Sequence, residues 1–149
     1  MSITSKVQED MVTAMKSEDR ERAAMLRYLL SQLKMGEKEA GGEMGEDEEI
    51  KLLTNEKKRR QQAAEGFRKG GSEDRAAKED AEAAVIDEYL PSQLADEELK
   101  ALLQEAINEA GASGVKELGK VMSQAMPKVG GRADGKRVSS MARQILEGQ

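Results

Sequence analysis

A chain of 149 residues with 24 basic and 29 acidic side chains, a net charge of -5 and 36% charged residues fits one domain or two small ones with heavily solvated helix faces. It contains no cysteine and no histidine, which removes disulfides, thiol nucleophiles, zinc sites built on those residues and the Ser-His-Asp triad. Two tyrosines and one phenylalanine are the only aromatics. That scarcity disfavours sheet, and the dominant Ala, Glu, Lys, Leu, Gln, Arg and Met favour helix, so the expected fold class is all-α.

Seven helices are predicted from apolar spacing and stop signals. The first runs from about Ser2 to Lys16, with Ile3, Val7, Met11 and Met15 four residues apart. Ser17 is a plausible cap for the second, whose inward face is Leu26, Leu29, Leu30 and Leu33. Gly36, Gly41, Gly42 and Gly45 interrupt it, and the acidic run Glu46 to Glu49 opens a third helix, the right charge for a helix start. That helix carries Ile50, Leu53 and Phe67 and stops at Gly70 and Gly71. Ser72 is the expected cap of a fourth, with an alanine-rich stripe of Ala77, Ala81, Ala84, Val85 and Tyr89 that predicts close helix-helix approach.

Pro91 ends the fourth helix. It divides the chain into an elongated four-helix N-terminal domain, residues 1–91, and a small C-terminal three-helix bundle, residues 92–149. The fifth helix puts Leu99, Leu102, Leu103, Ala106, Ile107 and Ala110 on one face and stops at Gly111. Ser113 is the expected cap of the sixth, with Val115, Leu118, Met122 and Ala125 inward and Pro127 as its end. Asp134 is the expected cap of the seventh, with Val138, Met141, Ala142, Ile145 and Leu146 inward. The Met and Leu stripes are expected to be core.

Charge is distributed unevenly. Residues 1–92 carry 16 basic and 21 acidic side chains, residues 93–114 one lysine and five acids, and residues 115–149 seven basic and three acidic side chains. A basic tail on an acidic chain is a candidate for a local anion or nucleic-acid contact; chance accumulation on a solvated helix is the alternative. No apolar run approaches a membrane span, and the opening MSITSKVQED lacks a signal peptide's apolar stretch. The expected location is cytoplasmic, without membrane contact.

The segment PKVGGRADGKRVSS, beginning at Pro127, is the most distinctive. Gly130, Gly135 and Lys136 match most of a G-x-x-x-x-G-K phosphate loop, but Arg137 stands where a magnesium-binding Ser or Thr is needed and no strand precedes it. Glycine turns that lead into a helix N-terminus nonetheless favour anions. Lys128, Gly130, Gly131, Arg132, Gly135, Lys136 and Arg137 are therefore the candidate binding residues, set against the reading of a plain interhelix turn with solvated charges. The S-x-x-K match at Ser31 to Lys34 lies inside a helix and lacks its partner motifs. The basic run Lys57, Lys58, Arg59, Arg60 circles its helix with no aromatics interleaved, which suits a solvated surface better than a nucleic-acid contact. The acids Glu48, Glu49, Asp96, Glu97 and Glu98 sit at helix starts, where dipole compensation accounts for them. No residue set specifies a metal or a cofactor, and none is expected.

The segments LRYLLSQLKMGEKE, EAAVIDEYLPSQLADEELKALL and GKVMSQAMPKVGGRADGKRVSSMARQIL together resemble the GatB/YqeY family, nearly end to end and with both prolines in place. The extent resembles the family's stand-alone members more than its larger relative, a component of the glutamine-dependent aspartyl/glutamyl-tRNA amidotransferase, which shares only the C-terminal part. The resemblance implies an all-helical N-terminal domain, a three-helix tail domain and tRNA contact by that tail. Carried over, the contacts fall on Lys128, Gly130, Arg132, Ala133, Asp134, Gly135 and Lys136. It also implies a relation to carbon–nitrogen ligases using glutamine as amido donor. The chain lacks the kinase-like catalytic part and any amidase, so it is not expected to transamidate alone. Three functions follow: a tRNA- or RNA-associated accessory protein with a possible protein partner in tRNA amidation or translation, a ligase component active only with partner subunits, and a protein-interaction module. Ala95 departs from the Ser or Thr that would best cap the fifth helix.

Overall fold

Three of the seven helix starts, those after Ser2, Asp19 and Asp134, are set by side-chain oxygens that meet the first free N–H groups, and the helix ends mostly by glycine. The computed structural model describes residues 2–148, which form seven α-helices and one 3₁₀ turn, with no strand among them. The helices are α1 (Ile3–Lys16), α2 (Arg20–Ala40), α3 (Glu46–Lys69), α4 (Glu73–Asp87), α5 (Asp96–Ala110), α6 (Leu118–Val129) and α7 (Gly135–Glu147). The Ser2 hydroxyl accepts from the Ser5 N–H at the start of α1, and the Asp19 carboxylate from the Arg22 N–H at the start of α2. Gly41, Gly111 and Gly130 close α2, α5 and α6 at φ of 79°, 65° and 55°, a region that other residues enter only with strain.

Several local expectations need correction. Asp19, not Ser17, caps α2, because Glu18 turns the chain at φ 60° and delivers the next residue to the cap position. The Ser113 N–H and hydroxyl both donate to Glu117 Oε1, which folds a 3₁₀ turn at Val115–Glu117 and delays α6 to Leu118. Pro127 does not end α6. It lies in the last turn, where its fixed φ suits the helix and a single donor is lost, and the helix stops at Gly130 instead. The alanine part of the α4 stripe is shifted in register: Ala76, Ala83 and Ile86 are buried while Ala77, Ala81 and Ala84 are exposed; Tyr89, just past the helix, is buried as expected. Met15, the last residue of the α1 stripe, is 51% exposed, so not every methionine in these stripes is core.

The chain divides into two compact units, Met1–Leu90 and Pro91–Gln149. In the first, Val7, Leu26, Leu29, Leu33, Leu53 and Ile86 form the centre of an apolar cluster from α1, α2, α3 and α4. A buried carboxylate joins α1 to α3: Glu49 Oε2 accepts from the Thr4 N–H and hydroxyl, both at 2.7 Å. It thereby compensates the start of α1 as well as its own helix. The helices α3 and α4 form an antiparallel hairpin, seen in its crossing ion pairs Lys57–Asp87, Arg60–Glu79, Arg60–Glu82 and Arg68–Glu73. Arg59 pairs with Glu56 within α3, and Lys58 also has an intrachain partner. The basic run at 57–60 is thus engaged within the first unit.

In the second unit, α5, α6 and α7 surround Leu99, Leu103, Ile107, Val121, Val129 and Val138, each at most 2% exposed. Burying a residue of this size stabilises by about 1.5–3 kcal/mol. Of the caps expected in this unit only Asp134 at α7 recurs; at α5 the Ala95 side chain has no oxygen to offer, and Glu98 accepts from the Ala95 N–H at 3.1 Å, the acid half of a capping box.

Candidate functional site

The turn between α6 and α7 is built by glycine and held by arginine. Gly130 and Gly131 take φ of 55° and 79° and reverse the chain within two residues. Arg132 then folds back: its Nε and Nη2 donate to the carbonyls of Val129 and Lys128 at 3.1 and 2.9 Å. A cation at a helix C-terminus satisfies carbonyls that have no intrahelical donor and offsets the negative end of the dipole. The Arg132 carbonyl accepts from the Leu94 N–H at 2.8 Å, and Ala133 is buried in the three-helix core. Asp134 caps α7, with its carboxylate accepting from the Lys136 N–H at 3.5 Å. Gly135 is the first helical residue of α7, where a Cβ would meet only Met126 Cε at 3.9 Å.

The remaining cations are drawn apart by α5. Lys128 Nζ pairs with Glu109 and Glu105, at 3.0 and 3.5 Å, and its hydrogen bond to Glu109 holds the ammonium above the ordinary lysine value. Arg137 Nη2 donates to Asp96 Oδ1 at 2.6 Å, at the other end of the same helix. Nine to thirteen residues separate those carboxylates, about 14–20 Å along a helix axis. Lys136 is exposed and makes no side-chain ion pair or hydrogen bond among the described residues.

The structure therefore brings the backbone elements of the site together and spreads its charges. Gly130, Gly131 and Gly135 shape the turn. Arg132 is committed to the end of α6. Lys128 and Arg137 are held near opposite ends of α5, which disfavours a compact cradle that uses both for a single nucleotide phosphate chain. Sequence spacing missed Asp96, Glu105 and Glu109 as the partners of these cations. The i, i+4 pair Glu105 and Glu109 marks an acidic face of α5, but only the packing of α6 against α5 selects Lys128 for it. No group of three or more Asp or Glu side chains placed to hold a metal occurs among the described residues, and no helix there is long and apolar enough to cross a membrane.

No curated protein matches the chain. A family model described as Yqey-like protein matches residues 4–146. That match reaches into all seven helices and takes in the Leu90–Pro91 junction and the turn before α7, and the chain belongs to the Yqey-like protein family.

Proposed function

We propose that this protein is an RNA-associated accessory factor, with tRNA the leading ligand, that uses Lys128, Lys136 and Arg137 to meet separate phosphates of an extended backbone. One observation carries the reading: Lys128 and Arg137 pair with carboxylates near opposite ends of α5 and are not clustered. A duplex strand places a phosphate every 3.4 Å or so of axis, so a span of about 14–20 Å covers several successive phosphates. The ion pairs that hold Lys128 and Arg137 involve carboxylates 42–82% exposed. Exposed pairs of this kind contribute only about 0–1 kcal/mol each, so exchanging a carboxylate for a phosphate costs little. The acids of α5 limit affinity, and binding is weak and salt-sensitive in consequence.

In this reading the two compact units are separate domains, an N-terminal four-helix domain and a C-terminal three-helix domain. The working compartment is the cytoplasm, where tRNA is charged and amidated. Any carbon–nitrogen ligase chemistry with glutamine as amido donor belongs to partner subunits, and this chain is given no catalytic step of its own. Arg132 acts by holding the turn, not by neutralising phosphate.

Binding of purified tRNA to the full chain between 50 and 200 mM salt tests the proposal. Loss of one phosphate contact lowers the slope of log affinity against log salt by about 0.7–0.9. Lys136→Ala and Arg137→Ala are each expected to lower it by that amount and to weaken binding several-fold. Affinity that ignores salt, or a double variant that binds like the parent protein, overturns the reading.

A further inference from the structure

The register of α4 leaves an apolar stripe without a partner. Ala77 and Ala81 are exposed, and across from them stands exposed Ala24 of α2, with Met25 and Val85 half-buried between. These residues line an open groove of about 700 Å³ within the first unit. The helices lie antiparallel, since Arg22 near the start of α2 pairs with Glu88 just past the end of α4 at 2.9 Å. On α4 the groove follows residues 74, 77, 78, 81, 82, 85 and 86, one helical face. That stripe is about 18 Å long. A helix of about 12 residues spans that length. Alanines four residues apart permit close approach of a helix backbone.

The polar groups of the groove indicate the charge of the occupant. Glu21 stands towards the Arg22–Glu88 end, and Asp74 and Lys78 stand towards the other. None of these three has an ion pair or side-chain hydrogen bond among the described residues. Arg60, from α3, is already spent: its guanidinium lies over the Tyr28 ring and pairs with Glu79 and Glu82. Its Nε is buried without a partner. Tyr28, 45% exposed, offers a hydroxyl on the same wall. The unit of residues 1–90 carries 16 basic and 21 acidic side chains, a field that repels a phosphate backbone and attracts a basic surface.

We propose that the groove between α2 and α4 is a docking site for an amphipathic helix of a partner protein, about three turns long, with a small-residue apolar face and basic residues at its flanks. The geometry is that of a helix laid into a groove and anchored at i, i+3, i+4 and i+7 positions. This site lies in the first unit and is independent of the turn before α7, so it stands or falls separately from the RNA reading.

The test uses two fluorescein-labelled 15-residue peptides that share a leucine–alanine face, one with lysine and one with glutamate at the remaining positions. Anisotropy titrations with the full chain are expected to show the lysine peptide binding at least tenfold tighter. Ala81→Trp fills the groove and is expected to weaken the lysine peptide at least tenfold while the helical circular dichroism is unchanged. If that variant does not fold, Ala77→Gln carries the same expectation. Combined Glu21→Lys and Asp74→Lys, both exposed, is expected to invert the preference. Retained binding in a folded Ala81→Trp or Ala77→Gln protein, or an unaltered preference in the charge reversal, overturns the proposal. So does sedimentation showing a dimer that Ala81→Trp dissolves, because the occupant is then a second copy of this chain.

Discussion

Single side chains decide more here than composition suggests. Tyr89 is 8% exposed, and its hydroxyl donates to Asp10 Oδ2 at 2.5 Å, which ties the end of α4 to α1. Burial first, and then the hydrogen bond to Asp10, push this phenol well above the ordinary tyrosine value. The folded state therefore resists its ionisation. The stability it contributes is complete below the unfolded-state value of about 10 and is lost as pH rises from there through the higher folded value. Tyr89→Phe is expected to cost about 1 kcal/mol at pH 7 through the lost hydrogen bond, and to flatten the fall in stability above pH 10. Urea midpoints of both proteins at pH 7 and above pH 10 measure the two effects. Arg132 and Glu49 belong to the same scale: a basic residue in a glycine-rich turn suggests a ligand, and an acid at a helix start suggests dipole compensation. Their partners, the carbonyls of Lys128 and Val129 and the N–H and hydroxyl of Thr4, lie on other turns and helices.

At the scale of the element, helix existence was legible and helix register was less so. Stops at Gly41, Gly70 and Gly111 and the cap at Asp134 were legible because glycine punctuation and carboxylate acceptance are local properties, whereas the stop at Gly130 was expected at Pro127. The face of α4 was not legible, because its alanines recur on several sides and a small residue suits a core and a surface alike. Ala76 is fully buried and Ala77 is exposed. Ala76→Leu is expected to cost about 1–3 kcal/mol by overpacking the core, whereas Ala77→Leu changes stability by less than about 0.5 kcal/mol. Thermal melts of the two variants separate the observed register from one shifted by a residue, which predicts the reverse order. Pro127 carries a related lesson: proline halts a helix through a lost donor and a clash one turn back, and both matter least in a final turn.

For the whole molecule, the apolar clusters of the two units share no residue. Each unit thus has the material for its own core, and the isolated chain 91–149 is expected to be helical with a cooperative but low thermal transition, near the lower size limit for independent folding. A circular dichroism melt checks this, and a featureless coil refutes it. The sequence by itself determined the all-α class, the order of the helices, most of their stops and the family, because propensity, periodicity and capping act over one or two turns. It also singled out the turn from Pro127 to Arg137. Only the tertiary structure decided that Arg132 closes α6, that α5 draws Lys128 and Arg137 to opposite ends, and that Ala77 and Ala81 face outward across a groove from α2. The last two depend on which distant residue packs alongside, and that partner is fixed by the burial of whole helix faces; Arg132 instead reaches carbonyls three and four residues back, once Gly130 and Gly131 have turned the chain.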